Sequence, residues 1–165
     1  MSPATGQDLH EALLRALAPV TRWRHPYPGD GLPVRVNEHG VDVWDNHVGD
    51  ARTDPDGTAH AYVFLQTGPG GQQHTRAVAA ATLTRWRPIL TFAGGTPVKT
   101  RWGLRLVEPL LDGLILTTPA GAAISAPLHQ GSTPREDYDP GPLRVDQDPT
   151  PPRWYVPIQY STQAC

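Results

Sequence analysis

The feature that most constrains this chain is an apolar stripe that starts just after Pro97 and recurs every four residues. Its members are Val98, Trp102, Leu106, Leu110 and Leu114, with Val107 and Leu111 beside them. Residues four apart lie on one face of a helix, so the spacing predicts an amphipathic helix over residues 96–116. The sequence offers no other long helix, and any sheet is therefore expected to pack against this one.

The two ends of this helix are marked differently. Thr96 stands where an N-cap belongs, and Pro97 occupies the first helical position, where its missing N–H is not needed. Pro109 removes one helical hydrogen bond and clashes with the preceding turn, which predicts a kink or a helix that stops near Val107 and restarts. Three basic residues lie off the stripe and are expected to face water: Lys99, Arg101 and Arg105.

Alternating apolar residues predict strands before this helix. Residues 34–36 and 41–43 flank a turn and predict a hairpin. Residues 60–66 alternate with apolar groups on both faces, which is typical of a central strand. Residues 77–81 favour a helix by propensity and residues 82–92 a strand, and we predict one long strand from about residue 77, broken or bulged near Pro88. The Gly-Gly pair at 94–95 predicts a turn into the helix.

The chain begins with a short amphipathic helix at residues 7–18 and closes with a strand at 153–162. Pro157 has no N–H for a ladder, so the closing strand is expected at an edge or with a free side there. Together the patterns predict an α/β (α+β) fold. Its sheet is mixed or mainly antiparallel, covered on one face by one long helix, with a short N-terminal helix and long loops.

Between the long helix and the closing strand, a small hairpin is predicted at 119–126. The stretch 127–152 is rich in proline and aspartate. A loop of this length in a compact domain is usually functional. Residues 143–145 have the pattern of a brief strand. A second long loop is predicted at the glycine-rich residues 67–73.

Composition limits the function classes. The chain has 165 residues, which suits one domain spanning 1–165, and its 16 acidic and 14 basic residues nearly balance, so no basic stripe favours nucleic-acid binding. Cys165 is the only cysteine, which excludes a disulfide or a cysteine-based zinc site within one chain. No signal pattern and no apolar run of membrane-spanning length occurs, so a cytoplasm-like compartment and no membrane are expected.

Catalytic and ligand motifs are weak. A possible metal cluster comprises Glu38, His39, Asp42, Asp45, His47 and Asp50. Its spacing fits no EF-hand, and a solvated turn is favoured. The turn at 94–97 lacks the Gly-Lys-Ser/Thr of a P-loop, so a chain reversal is favoured over a phosphate site. No nucleophile motif is present. We therefore predict no catalytic residues, cofactor or metal, and no enzyme.

Tryptophans beside arginine are more informative. Trp86 and Trp154 each sit next to arginine on predicted strands, a composition typical of protein–protein hot spots. The alternative is that each indole covers the core while its arginine faces water, and the sequence favours neither. Trp102 belongs to the helical stripe, which predicts a core position.

The order of the elements resembles a known family. The residues that carry the resemblance are Ala-Tyr-Val-Phe-Leu at 61–65, a strand ending on Gly-Gly, the single helix at 96–116, Arg-Glu-Asp at 135–137, and Pro-Pro-Arg-Trp-Tyr-Val-Pro-Ile-Gln-Tyr at 151–160. This layout is similar to the tail terminator (tail completion) proteins of phages with long, non-contractile tails. The similarity covers about residues 59–162.

The resemblance implies a structural virion protein at the junction of tail and neck, assembled in the host cytoplasm. Six copies would form a ring on the tail tube, stop tube polymerisation and offer a docking face to the head-completion or neck protein. DNA would pass through the lumen without sequence-specific binding. A ring needs a head-to-tail contact whose rotation closes. The expected subunit or partner contacts are Arg135, Asp137 and Tyr138, with Trp86 and Trp154 as further candidates.

Two alternatives remain open at this point. One is another neck or tail component, such as a head–tail connector, a tail tube protein or a minor tail protein. The other is an unrelated small enzyme or metal-binding domain. A hexameric ring or assembly on tail tubes favours the tail terminator, whereas turnover or tight metal binding favours the last alternative.

Overall fold

A computed structural model describes residues 4–18, 21–23, 40–67, 85–131 and 141–164. Over these residues the protein is mixed α/β, with two helices and a curled sheet. The elements are α1 (Gly6–Leu17), β1 (Thr21–Trp23), β2 (Val41–Asp45), β3 (Tyr62–Gln66), β4 (Arg85–Trp86), β5 (Ile89–Gly94), α2 (Pro97–Leu111), β6 (His129–Gln130), β7 (Arg144–Asp146) and β8 (Arg153–Gln163).

The sheet is mixed, as the sequence predicts. Its order is β1-β2-β3-β5-β8, with β1, β2 and β3 parallel to one another and the later pairs antiparallel. The central position predicted for the strand at 60–66 is confirmed, because β3 lies between β2 and β5. The predicted hairpin partner at 34–36 lies outside the described residues, and β2 pairs on its two sides with β1 and β3.

The predicted break at Pro88 is confirmed. β4 and β5 face β8 in one continuous register, with Trp86 opposite Thr162 and Ile89 opposite Gln159. No extra residue is inserted, so the strand is interrupted rather than bulged. Residues 77–84 lie outside the described part.

Strand β8 is internal, with pairing strands on both of its sides, although it contains Pro157. β5 runs along one side of β8, while β7 pairs with residues 153–155 and β6 with residues 160–161 on the other side. Pro157 falls in the gap between β7 and β6, where no ladder donor is required. Of the two predicted alternatives, the free side at Pro157 is therefore correct and the edge strand is wrong. The predicted pairing at 143–145 is confirmed by β7.

Helix α1 matches its prediction closely. Thr5 caps it and forms a capping box with Asp8, whose carboxylate accepts from the Thr5 backbone N–H at 2.8 Å. Leu9, Leu13 and Leu17 are fully buried in the main core. A three-turn helix is marginal alone, so this burial is what stabilises it.

Helix α2 begins as predicted and ends early. The Thr96 hydroxyl accepts from the Lys99 N–H at 3.2 Å, and Pro97 opens the first turn. The helix runs through Pro109 and ends at Leu111, so the predicted stop near Val107 and the predicted end at 116 are wrong. Residues 113–118 instead pair with 122–128 around a turn at Pro119–Gly121, which places the predicted small hairpin slightly earlier in the chain.

The predicted stripe is wrong at its N-terminal half. Val98 is 72% exposed and Trp102 is 40% exposed, so Trp102 is not a core residue. The buried face consists of Thr100, Gly103, Val107 and Leu111. A Cβ on Gly103 would lie 3.3 Å from Val41 Cγ1, which shows how closely the helix approaches the sheet. Close approach favours the small-residue face over the tryptophan face.

Both helices contribute to the main core. α1 contacts α2, and α2 contacts β3, β5 and β8. The core combines Leu9 and Leu13 of α1, Val107 of α2 and the inward side chains of β3, β5 and β8. A second, smaller cluster lies apart from this core and contains Trp44, Tyr62 and Ala93, with Val48, Ala51, Phe64 and Tyr155 packed against it. Within the described residues, neither helix has the length and apolar character to cross a membrane.

Candidate interaction surface

A charged cluster ties the loop before β3 to the start of α2. The Lys99 ammonium donates to Asp54 Oδ2 at 2.7 Å, to the Asp56 carboxylate at 2.9 Å and to Thr58 Oγ1 at 2.6 Å. All three of its donors are therefore used. The side chain of Lys99 is only 21% exposed. The prediction that it faces water is wrong, because the loop at 54–58 folds over it.

The ionisation of this cluster follows from its contacts. Partial burial acts to raise the pKa of Asp54, but hydrogen bonds from Lys99 and His60 outweigh it and leave that pKa below its ordinary value. The hydrogen bond from Lys99 and those from Thr58 lower the pKa of Asp56 to about 2. Burial acts to lower the pKa of Lys99, yet the two carboxylates raise it. Lys99 is held protonated, which makes it unsuited to act as a nucleophile or general base.

His60 joins the same cluster to the chain before β2. Its Nδ1 lies 2.9 Å from Asp54 Oδ1 and its Nε2 lies 2.9 Å from the Gly40 carbonyl oxygen. Both ring nitrogens therefore lie within hydrogen-bond distance of a fixed oxygen atom, which sets the orientation of the ring. The Trp102 ring packs edge-on against His60 with 6.2 Å between centroids. His60 therefore acts as a support for the exposed indole.

The glycine turn before α2 is explained by packing. The Gly95 N–H donates to the Ala59 carbonyl at 2.8 Å. A Cβ on Gly95 would collide with the backbone nitrogen of Ala59 and lie 2.5 Å from Thr58 Cβ. The Thr96 hydroxyl already accepts from the first turn of the helix. This turn brings the loop against the helix, which accounts for both glycines without an anion.

Two described carboxylates of the possible metal cluster have other partners. Asp42 is buried and lies 3.7 Å from Arg52 Nε, whereas Asp45 pairs with His10 of α1 at 3.0 Å. Glu38 and His39 lie outside the described residues. In the described part of the chain, no three His, Cys, Asp or Glu side chains are grouped so that they could hold a metal ion.

The outer face of α2 consists of Val98, Arg101, Trp102 and Arg105, all of which are exposed. These positions are three or four apart, so they form one continuous surface. Neither arginine forms an ion pair with any described residue, and the prediction that both face water is confirmed. The neighbouring Lys99 is neutralised by its two carboxylates. The outer face of α2 is therefore cationic, with an aromatic centre.

A second exposed segment, residues 144–148, includes β7 and carries one arginine, Arg144, together with two aspartates. Val145 is 41% exposed, and Asp146 and Asp148 are exposed beside it. Within the described residues neither carboxylate has an ion pair, although Asp146 Oδ1 accepts from the Asp148 N–H at 3.2 Å. Arg144 and Asp146 lie on one side of β7 and Val145 on the other, because successive side chains of a strand alternate.

The sequence-predicted site residues fall in three places. Trp86 is 2% exposed and belongs to the main core, so its indole is not at the surface of the folded chain. Trp154 is half-buried, and its carbonyl accepts from Thr100 Oγ1 of α2. Arg135, Asp137 and Tyr138 lie outside the described residues. The two described residues, Trp86 and Trp154, therefore lie in different surroundings, one in the main core and one half-buried at the start of β8.

The arginine beside Trp154 is engaged in the molecule itself. The Arg153 guanidinium lies 5.6 Å from the centroid of the Tyr62 ring, and Arg153 Nη1 donates to Tyr62 Oη at 3.3 Å. Burial raises the pKa of Tyr62, although Arg153 acts in the opposite direction. This contact links the start of β8 to β3. Arg153 is therefore engaged within the molecule.

Sequence reasoning missed the Lys99 cluster. Residues 50–57 read as a polar loop, and nothing local indicates that Asp54 and Asp56 meet a lysine more than forty positions later. The sequence did contain one signal for this cluster. Two aspartates in a loop can pair with a lysine in the first turn of a helix when a Gly-Gly turn brings the loop and the helix close together. Comparisons with protein-family models, curated proteins and solved structures found no match for the chain.

Proposed function

We propose that this protein is a structural subunit of a phage tail, a tail terminator that assembles into a ring, caps the tail tube and provides the docking face for the neck. The proposal starts from the sequence resemblance, and the surface chemistry supports it. In this proposal the partners are further copies of the chain, the tail tube protein and the head-completion protein. DNA passes through the ring without specific contacts.

The observation that carries the proposal is the pair of exposed surfaces with free charges. The outer face of α2 is cationic with Trp102 at its centre, and the exposed residues 144–148 carry two carboxylates and one arginine. Two different exposed surfaces of opposite net charge on one chain support a heterologous contact, which is the kind that closes into rings. An isologous dimer would instead use one self-complementary surface.

The distribution of titratable groups is also consistent with a non-enzymatic role. The charged cluster that involves Lys99 is internally neutralised, and it holds a loop to a helix. An active site needs groups that can change protonation or reach a substrate, and here the lysine has no free donor. In the proposed role, this cluster holds the N-terminal part of α2 in place, so that the outer face of the helix keeps a fixed position.

The proposal also includes the finer layout that the sequence suggested. α2 corresponds to the single helix of the family, and α1 packs beside it as an addition. The side of the sheet that carries the Trp44 and Tyr62 cluster is covered by the loop before β3 instead of a helix. Strand β7 then provides an outer edge at which a neighbouring copy or the tube can pair.

The direct test is assembly. Size-exclusion chromatography with light scattering should show a hexamer, or a monomer that becomes a hexamer only when tail tubes are added. Tubes grown from purified tube protein should stop elongating when this protein is present. A chain that stays monomeric on tubes and leaves their length unchanged would refute the proposal.

A genetic test separates the tail terminator from other neck and tail components. Deleting the gene should give overlong tails without attached heads, because tube growth is no longer stopped. Heads without tails, or the absence of tubes, would indicate a different structural role.

A further inference from the structure

We propose that the outer edge of β7 pairs with the same edge of a second copy, in an antiparallel register centred on Val145. The occupant of this edge is another molecule of this chain, and the contact is two-fold symmetric. The inference goes beyond the proposed function, because it concerns chains that are free in solution and needs no tail tube.

Strand β7 has one paired edge and one open edge. It pairs with β8 on one side, and in the described part of the chain no strand lies on its other side. All three of its residues are exposed. The N–H and C=O groups along an open edge can pair with another strand, so such an edge is a common site of association between molecules.

The side chains of β7 are complementary to themselves. Arg144 and Asp146 lie on one side of the strand and Val145 on the other. In an antiparallel pair centred on Val145, Arg144 of each copy is opposite Asp146 of the other copy, and the two valines face each other. The pair therefore has two contacts between opposite charges on one face and an apolar contact on the other, and both kinds of cross-strand contact are stabilising.

The two charges also select the register. A parallel pair in register would place arginine beside arginine and aspartate beside aspartate. An antiparallel pair centred on Arg144 or on Asp146 would place two like charges directly opposite each other. Like charges in such positions are destabilising. Of these registers, only the one centred on Val145 brings opposite charges together.

The neighbouring strand β8 extends the same pattern. Val145 lies opposite the half-buried Trp154, and Asp146 lies opposite Arg153. Residues directly opposite each other share a face of the sheet. Trp154 therefore supports the apolar contact between the two valines. On the other face, the Asp146 carboxylate would lie between Arg153 of its own chain and Arg144 of the second copy.

The pairing closes at two chains. Both open β7 edges are used in the pair, so neither is left for a third copy. The Asp148 N–H turns back to donate to Asp146 Oδ1 at 3.2 Å, and Pro149 follows, which limits the length of the contact. Small contacts are typical of weak, reversible association. A chain has to leave this pair before its residues 144–148 can contact a neighbour in the proposed ring.

Disulfide formation tests the register. A Cys165→Ser chain has no other cysteine, so Val145→Cys introduces a single thiol. Directly opposite residues of an antiparallel pair have Cα atoms about 4.5 to 5.5 Å apart, a distance that a disulfide spans. V145C should therefore form a covalent dimer in a glutathione redox buffer. The matched control is the exposed Gln147→Cys, whose two Cα atoms would lie more than about 10 Å apart, so this chain should stay monomeric.

Charge exchange in the V145C chain gives the energetic test. R144D should lower the yield of covalent dimer at least about tenfold, because it places two carboxylates opposite each other at both ends of the pair. R144D/D146R should restore the yield to within a factor of about three, since the attraction is reinstated with opposite signs. Asp146→Asn keeps the acceptor for the Asp148 N–H and removes only the charge, so it should lower the yield about threefold.

Several results would overturn the pairing. Equal yields from V145C and Q147C would show random collision or a parallel pair. A yield that R144D leaves unchanged, or that the exchange fails to restore, would show that the charges do not hold the two strands together. A V145C chain that cross-links to tail tube protein and not to itself would assign the β7 edge to that protein.

The parent chain on tail tubes separates this inference from the proposed function. If the parent chain stops tube growth while V145C and Q147C cross-link equally, the pairing is wrong and the function stands. If the cross-links and the charge exchange are as expected but the parent chain lets tubes grow, the pairing stands and the tail-terminator role falls. If neither result is as expected, both fail.

Discussion

The two sides of α2 carry the same kinds of residue and use them in opposite ways. On one side, Lys99 meets three acceptors from the loop at 54–58. On the other, Arg101 and Arg105 meet no charged partner in the described chain. The comparison shows that a basic residue near a helix start is structural when a loop closes over it, and available for a partner when none does.

This difference depends on how the loop is brought to the helix. Gly95 lets the backbone of residues 58–59 approach the turn before α2, and the carboxylates of Asp54 and Asp56 arrive with it. No loop of the described residues closes over the outer face of α2, whose Arg101, Trp102 and Arg105 are exposed. Five predictions test this difference between the two sides of α2. They are ordered by the size of the expected change in stability.

The largest effect is expected at the close approach itself. Gly95→Ala should destabilise the fold by about 3 kcal/mol, because the added methyl overlaps backbone atoms that cannot move aside cheaply. Denaturant unfolding measures it. The matched control is Gly121→Ala, where φ is +87° and no atom lies within 4 Å, so only local strain of about 1 kcal/mol is expected. Equal losses would show that the loop is not pressed against the turn.

The second prediction tests the buried side of α2 against its predicted apolar stripe. Val107→Ala should cost about 2 kcal/mol, because Val107 is fully buried in the main core. Val98→Ser should change stability by less than about 0.5 kcal/mol, because Val98 is largely exposed. Thermal or denaturant unfolding of both variants gives the values. A larger loss for Val98→Ser than for Val107→Ala would mean that the helix is buried through the apolar stripe predicted from the sequence.

The third prediction compares the two sides of α2 directly. Lys99→Met should lower the free energy of unfolding by about 1 to 2 kcal/mol, since it leaves two carboxylates and a hydroxyl without their donor. Arg101→Met, on the outer face, should change it by less than about 0.5 kcal/mol. Similar losses in the two variants would mean that the Lys99 cluster contributes no more than a surface charge.

The fourth prediction concerns acid. The pKa of Asp56 falls from an ordinary 3.8 to about 2, and that of Asp54 also lies below its ordinary value. A carboxylate with a lowered folded pKa binds fewer protons in the folded state than in the unfolded state at intermediate pH. Its stabilisation is complete above pH of about 4 and is lost as pH falls towards about 2.

Unfolding curves between those limits measure this loss. Lys99→Met should show a shallower decline than the parent chain, because the donor that lowers both pKa values is gone. Parallel declines would place the acid sensitivity elsewhere, for example at Asp8, whose pKa the side chain of Thr5 lowers. The variant Asp8→Asn separates these two sources.

The smallest effect on the folded chain is expected at the outer face of α2. R101E/R105E should leave Tm within about 2 °C of the parent, since neither side chain has an ion pair with any described residue. Differential scanning calorimetry at a concentration too low for self-association measures this. A large drop in Tm would mean that these arginines stabilise the fold and are not free for a partner.

Much of the fold could be read from local patterns. The short N-terminal helix, the central strand with two apolar faces, the break at Pro88 and the strand with a free side at Pro157 were all predicted, whereas the capping box of Thr5 and Asp8 was not. Each follows from a rule that acts within a few residues, such as the donor that proline lacks or the alternation of side chains along a strand.

The candidate site was much less predictable. The stripe on α2 placed Trp102 in the core because tryptophan is large and apolar, but the helix packs through Thr100 and Gly103. Periodicity identifies a helix and cannot choose between two adjacent faces when a small-residue face allows closer approach. The Lys99 cluster and the pairing of Asp45 with His10 depend on contacts over 35 positions or more.

The sequence alone therefore determined where helices and strands begin, because capping residues, prolines and alternation act on neighbouring atoms. The tertiary structure decided which side of α2 is buried, which basic residues are neutralised and which remain available. Those outcomes depend on the distance between segments that are remote in the chain. Packing at Gly95 and Gly103 sets that distance, and no local pattern encodes it.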